Sequence, residues 1–563
     1  MKRSHSPEPI WVSATDIRNY MLKDPMTDWL KMKPKPSTDA FTKFILKQGQ
    51  KFESMVVDLI SKVVPVVYVS NVITDETVDK THSLMRQGTP VIHSAPVMNM
   101  ENHTRGVIDL LVRNDYISKF IANPPNLPNV SSILGDYYYV VIDIKFSTLP
   151  LCSERTYLLN EQSIPAYKGQ CLIYTEAIGK LQGYTPTISF ILGRGWNCIS
   201  KGIKYSDDSC FDRLGVMDFS TRDLSYVECT GMGIQWRRDL ATDGHKWTAG
   251  SRPELFPNTN SKGEFALVQK KMAEDMADVT IVWQCGAKQR EHAMRNGVFS
   301  WKDERCTAEV LGFKDGSRKR IVDAILSINR QSEELIRPAK IASTKHDWRD
   351  ESYDDLYVDF ETIPDIFGEL NSPIKQHTSM IFMIGVYHLV REYNEESQMN
   401  EPHWTYTHYT ALKPTMEEER RIMKEFYEFV SKLNKPRLWY WFAEKNFWQA
   451  AENRQPDEYD SPFVNRLNWV DLLDVFHDEP IVIKDCFGFG LKEICKTMKK
   501  HGMIKTQLQS ECQDGMSAMV SAWECYNKND DVLSSPVMQD IIRYNQFDVV
   551  SLWDILRYLR ETL

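Results

Sequence analysis

Tyr137-Tyr-Tyr-Val-Val-Ile-Asp-Ile-Lys145 is the stretch around which the remaining sequence falls into order. Seven of these residues are aromatic or β-branched, which suits a strand buried on both faces. Asp143 and Lys145 close it two residues apart. In a strand their side chains leave from one face, and Ile144 leaves from the other. A carboxylate and an ammonium at the tip of an apolar strand cost several kcal/mol to bury unless they bind each other or a third partner. Two meanings are open at this point: a salt-bridged strand end, or a pair that holds Mg²⁺ and a water attacking a phosphodiester.

With 563 residues the chain has room for about three or four domains. Its 42% apolar and 26% charged residues are ordinary for globular protein. The net charge of -9 gives no global basic signal, so a nucleic-acid partner must meet a local patch. Eleven cysteines are scattered without close pairs. That spacing argues against a disulfide framework or a zinc site, and for a reducing compartment. No apolar run approaches the roughly 18 residues of a membrane helix, and the start lacks a secretory segment, so no membrane partner is expected. Residues 1–9 read as a short disordered start.

Outward from the opening strand, Ser13-Ala-Thr-Asp-Ile17 reads as a helix start, with Ile17, Tyr20 and Met21 inward and Pro34 and Pro36 ending it. A long helix is expected over 42–63, with Phe52, Val56, Leu59 and Val63 at core spacing and Glu53 on the edge of the buried face. Strands are expected at 64–72, 90–95, 106–112 and 187–192, and a helix at 163–180 carries Tyr167, Gln170 and Tyr174 on one face. Asp109 interrupts its apolar strand, where an unpaired acid has no structural use. From residue 201 to 337 helices such as 263–277 mix with Trp-rich turns. A fresh α/β pattern opens near Asp350, with strands at 356–362, 380–386, 404–409 and 437–442. Helices follow at 415–433 (with a Thr415/Glu418 capping box), from 444, at 491–499 and at 537–559.

Two acids in separate strands, an acid on a preceding helix and a lysine two residues after the second acid suit a Mg²⁺ nuclease. Mg²⁺ takes oxygen ligands and keeps waters. Asp109 and Asp143 can reach one metal, with Glu53 and the Ile144 carbonyl completing the protein's share. Lys145 can activate water or offset charge on the phosphorus. Gln170 and Tyr174 position the substrate strand, or serve as packing and hydrogen-bonding residues. The series Gly49-Gln-Lys-Phe-Glu53, Gly106-Val-Ile-Asp109, Asp143-Ile-Lys145 and Gln170-x-x-x-Tyr174 resembles the RecB-like branch of the PD-(D/E)XK nucleases. Asp24-Pro25 falls where that branch has a Cys-Pro. Some relatives use that cysteine for a 4Fe–4S cluster. With Asp24 in its place, and Cys198, Cys210 and Cys229 far apart, no iron-sulfur cluster is expected.

Tyr357-Val-Asp-Phe-Glu-Thr362 repeats the alternation, with Asp359 and Glu361 on one face. Tyr544-Asn-Gln-Phe-Asp548 places a phenol and a carboxylate one helical turn apart. Asp-x-Glu early and Tyr-x-x-x-Asp late resembles the DEDDy 3′–5′ exonucleases of ribonuclease-H-like fold, and most closely the YprB-like branch fused behind RecB-like nucleases. The resemblance implies Asp359, Glu361 and Asp548 as metal ligands, with Tyr544 orienting the water. The middle acid is Glu444 or Asp471, and Asp471 equally suits a helix cap or brace.

The expected organisation is α/β: a PD-(D/E)XK restriction-endonuclease-like domain (1–200), a mostly helical connector (201–345) and a ribonuclease-H-like domain (346–563). In the connector, Trp283-Gln-Cys-Gly286 and Asn296-Gly-Val-Phe-Ser-Trp-Lys-Asp303 suit core packing or a backbone contact to DNA. The basic run Lys314-Asp-Gly-Ser-Arg-Lys-Arg320 suits phosphate contact or a solvated loop. His377 and His477 read as structural. The implied protein is a cytosolic or nuclear Mg²⁺- or Mn²⁺-dependent nuclease, acting on DNA rather than RNA and cutting exonucleolytically. It would work in replication, recombination or repair, beside a helicase or other repair proteins, in an organism with a large DNA genome or a large DNA virus. The alternatives are one nuclease domain that only grips nucleic acid, or a non-catalytic scaffold.

Overall fold

The computed structural model describes residues 9–33, 40–207, 209–331, 333–341, 345–363, 379–394, 399–454, 467–507, 510, 515–528 and 531–563. Residues 1–8, Pro34, Pro36 and His377 lie outside these. The chain forms two compact units, Met1–Leu267 and Val268–Leu563. The stretch expected as a connector is shared between them, 201–267 with the first and 268–345 with the second. No helix among the described residues is long and apolar enough to cross a membrane.

In the first unit, β1 (Val12–Ser13), β2 (Val66–Tyr68), β3 (Val91–Asn99), β4 (Thr104–Arg113), β5 (Tyr139–Leu151), β6 (Ile188–Ser200), β7 (Ile203–Asp207) and β8 (Gly215–Asp218) share a sheet. Its path is β2-β3-β4-β5-β6-β7, with β1 on β4 and β8 on β6. Residues 139–142 are fully buried, as their β-branched and aromatic side chains require. The strand runs on past Lys145 to Leu151, with a register break between Lys145 and Thr148. Helix Ile164–Gln182 packs on β3, β4, β5 and β6. Pro165 sits in its first turn, and the left-handed Gly183 (φ 69°) ends it.

Two expectations need correction here. Helix Ala40–Ser61 buries Phe52, Val56 and Ile60, while Leu59 and Val63 are exposed. Its inward stripe is therefore one residue away from the expected one at its C-terminal end. The single helix expected near the N-terminus is two short ones, Arg18–Met21 and Met26–Leu30, because Pro25 cannot continue the first. At this break Asp24 Oδ2 accepts hydrogen bonds from Thr27 Oγ1 (2.8 Å) and Ser261 Oγ (2.6 Å).

In the second unit, β9 (Ile336–Arg337) and β15 (Val482–Ile483) form a small ribbon. The main sheet contains β10 (Leu356–Ile363), β11 (Met380–Asn394), β12 (Met399–Thr410), β13 (Arg437–Tyr440) and β14 (Asn468–Asp471), in the order β12-β11-β10-β13-β14. The first three make an antiparallel meander, and β13 and β14 add in parallel. Helix Pro536–Thr562 packs across β10, β11 and β13. Helix Met416–Val430 has half of its expected capping box. Thr415 accepts from the Glu418 N–H, but Glu418 turns to the Leu412 N–H (2.6 Å) and Arg421. The tryptophans pack: Trp301 against Phe487 (4.8 Å) and Trp283 against His477 (5.1 Å). The basic run is half helix, since Ser317–Gln331 begins inside it and Lys319 pairs with Asp315.

Candidate active sites

β4 pairs with β5 only from Leu110↔Ile142 to Arg113↔Tyr139. Where the ladder stops, the Asp109 carboxylate replaces it: Oδ2 accepts the Ile144 N–H at 2.8 Å. Asp109 therefore has a structural use as well, closing the gap that the β4–β5 ladder leaves. On β5, Lys145 Nζ stands 2.6 Å from Asp143 Oδ2 and 3.9 Å from Asp109 Oδ2. The Asp143 side chain is 0% exposed and Lys145 is 21% exposed. Burial and the negative charge of Asp143 hold the Asp109 carboxyl well above the ordinary carboxylate range. Burial disfavours the Lys145 ammonium, but the charges of Asp143 and Asp109 outweigh it and hold the proton on.

Helix Ile164–Gln182 supplies the far wall. Gln170 Nε2 donates to Asp143 Oδ1 (3.2 Å) and lies 3.0 Å from the Tyr174 hydroxyl. Tyr174 is buried, and burial followed by the charge of Asp143 raises its phenol. Its ring lies over Gly106, where a Cβ would come within 2.4 Å of Cε1, so Gly106 and Tyr174 require each other. Gln170 therefore bonds Asp143 directly, while the buried Tyr174 bonds Gln170. Glu53 stands apart. Its Oε1 lies 3.2 Å from His93 Nε2, a β3 residue that sequence reasoning passed over. Glu53, Asp109 and Asp143 are not among the acid groups whose oxygens fall within 4.8 Å of one another.

The second unit does contain such a group. Asp359 and Glu361 on β10 and Asp548 on helix Pro536–Thr562 offer oxygens all within 4.8 Å of one another. Burial, then the charges of Asp548 and Glu361, raises Asp359 well above its usual range. Burial and Asp548 push Glu361 up to about 8, and burial pushes Asp548 up to about 7. Asp548 Oδ1 is buried without a hydrogen-bond partner. Converging hard oxygen ligands that repel one another, with a buried acceptor left over, fit Mg²⁺ or Mn²⁺.

Three residues absent from the sequence reading complete this site. Asn545, fully buried, donates from Nδ2 to Asp359 Oδ2 (2.7 Å) and reaches Glu361 Oε1 (3.5 Å). Tyr406 on β12 donates to Asn545 Oδ1 at 2.9 Å. Gly385 on β11 leaves room for that amide, since a Cβ there would lie 1.5 Å from Oδ1.

Of the two candidates for the middle acid, Asp471 is the helix cap: its Oδ1 accepts the N–H groups of Leu473 (2.9 Å) and Phe442 (3.1 Å). Glu444 is buried at the start of helix Glu444–Asn453. Its Oε2 accepts from the Trp441 and Ala443 N–H groups (3.2 and 3.3 Å). Burial pushes it up to about 8, and its charge acts on both Asp359 and Glu361.

Residues 356–560 match the RNase_H superfamily. The match spans the five-stranded sheet, Asp359, Glu361 and Asp548, and supports a ribonuclease-H-like fold for this part of the chain, with that acidic group as its candidate divalent-metal site. No curated protein matches the chain.

Proposed function

We propose that this chain is a Mg²⁺- or Mn²⁺-dependent nuclease that hydrolyses phosphodiester bonds of DNA from an end, with a RecB-like PD-(D/E)XK site in its first unit and a DEDDy-type site in its second. The convergence of Asp359, Glu361 and Asp548 within the matched region is the observation that carries it. Divalent ions bound there would supply Lewis-acid activation of water and stabilise charge on the leaving oxygen. The chain's own residues do the rest. Asp359, Glu361 and Asp548 hold the ions, Asn545 fixes the first two carboxylates, and Tyr544 orients the attacking water. In the first unit Asp109 and Asp143 are the acids, Gln170 aims Asp143, and Lys145 sits where a water or a phosphate oxygen must come.

One observation favours a second reading for the first unit. Glu53 pairs with His93, and its charge reaches Asp109, but its oxygens do not form a group within 4.8 Å with those of Asp109 and Asp143. A site short of one carboxylate grips nucleic acid through Lys145 and leaves cutting to the second unit.

The deciding experiment uses single-stranded DNA, duplex DNA and RNA labelled at either end, with Mg²⁺ or Mn²⁺. Wild type is compared with Lys145→Ala, Asp359→Ala and the double variant. Two cutting sites require each single variant to lose part of the activity and the double to lose all of it. If Asp359→Ala alone abolishes cutting, the gripping role of the first unit stands. If all four degrade DNA equally, or none does, the proposal fails.

A further inference from the structure

Lys492 is the second residue of helix Leu491–Lys500, which packs along helix Pro536–Thr562. It had no place in the sequence reading. In the structure its Nζ donates to the Tyr544 hydroxyl and lies 3.6 Å from the centroid of the same ring. Its positive charge also faces Asp359, Glu361 and Asp548.

We propose that Lys492 is a positioning residue for hydrolysis in the second unit, setting the direction of the Tyr544 hydroxyl that orients the attacking water. An ammonium has three donors and no acceptor, so the phenol oxygen must be the acceptor in this contact. A phenol O–H prefers the plane of its ring, where it has two orientations. The ammonium lies over the ring against the phenol oxygen, so it holds a lone pair toward Lys492 and turns the hydroxyl hydrogen away from it. Cation–π contact with the ring restrains the same side chain further. The arrangement parallels the first unit, where Lys145 stands against Asp143. There the lysine meets an acid directly; here it acts through a phenol. Tyr544 and Asp548 lie one helical turn apart, so a hydroxyl held in one orientation is held relative to the acids as well.

The inference rests on the second unit being hydrolytic, and the test separates the two. Full-length Lys145→Ala protein isolates second-site activity on 5′-labelled single-stranded DNA with Mn²⁺. Into it are introduced Lys492→Met, Lys492→Arg, Tyr544→Phe and the Lys492→Met/Tyr544→Phe pair. Lys492→Met is expected to lower kcat by about 10- to 100-fold with KM little changed. Lys492→Arg should restore part of the loss. The pair should be no slower than Tyr544→Phe alone, because a residue that acts only through the phenol has nothing left to act on. Thermal melts identify any variant that fails to fold, in which case Lys492→Arg carries the cycle. Additive losses in the pair, or Lys492→Met at the parent kcat, would overturn the role of Lys492 while leaving the site hydrolytic. If adding Asp359→Ala leaves cutting unchanged, the hydrolytic reading falls and Lys492 falls with it.

Discussion

Lys145 Nζ lies 2.6 Å from the Oδ2 of Asp143, whose side chain has no exposure to solvent. Removing the ammonium alone strands a buried carboxylate, so Lys145→Met should destabilise the protein by about 3–5 kcal/mol. Replacing both partners with apolar residues removes the stranded charge, so Asp143→Leu/Lys145→Met should be more stable than Lys145→Met. Urea unfolding of the three proteins measures the difference. A double variant no more stable than Lys145→Met would mean that the ion pair is not what holds this strand end.

The acids of the second unit make stability depend on pH. Glu361 moves from 4.5 up to about 8, and Asp548 from 3.8 up to about 7. Each raised acid keeps its proton in the folded chain over a range where the unfolded chain has released it. The folded state then binds more protons, and stability falls as pH rises from about 4 to about 8. A divalent ion binds the ionised acids and opposes this loss. Urea midpoints in EDTA should drop across that window, Mn²⁺ should flatten the drop most at its upper end, and Asp548→Asn should reduce both effects. An equal slope with and without Mn²⁺ would exclude metal binding by these groups.

Strand alternation made both sites partly legible in the sequence. Asp143 and Lys145, and Asp359 and Glu361, stand two residues apart, and two is the side-chain period of a strand. The same rule could not find Lys492, Gly385 or His93, whose roles depend on partners 52, 160 and 40 residues away. Asn545 was hidden differently. It lies inside the quoted Tyr544-Asn-Gln-Phe-Asp548 motif, yet an amide on a helix carries no sign that it faces acids on a strand. In the sequence Asp109 reads as purely functional, because its hydrogen bond to the Ile144 N–H exists only where the β4–β5 ladder stops, a tertiary feature that strand alternation does not carry.

Gly385 tests the amide brace without touching an acid. A methyl group there meets Asn545 Oδ1 at 1.5 Å, so the amide must leave its bonds to Asp359 and Tyr406. Gly385→Ala should cost about 1–3 kcal/mol by overpacking and weaken Mn²⁺ binding at the second site, measured by calorimetry in a background where the first-unit acids are neutralised, Asp109→Asn/Asp143→Asn. Undiminished Mn²⁺ affinity in a folded Gly385→Ala protein would show that Asn545 does not hold the carboxylates.

Glu444 and Asp471 make opposite predictions. Asp471 accepts two backbone N–H groups, one of them at the start of helix Leu472–Asp478, so Asp471→Ala should cost about 1 kcal/mol as a lost cap and leave second-site turnover nearly unchanged. Glu444 also bonds its own turn, but a glutamine can keep those bonds through its carbonyl oxygen while losing the charge that faces Asp359 and Glu361. Glu444→Gln should therefore fold with near-normal stability and lose about 10- to 100-fold in Mn²⁺ affinity or turnover. Thermal melts and rates on 5′-labelled DNA, taken together, separate the two residues. Were Asp471→Ala to abolish turnover while Glu444→Gln cut normally, the middle acid of the site would be Asp471, and its cap would be secondary to its place beside the metal.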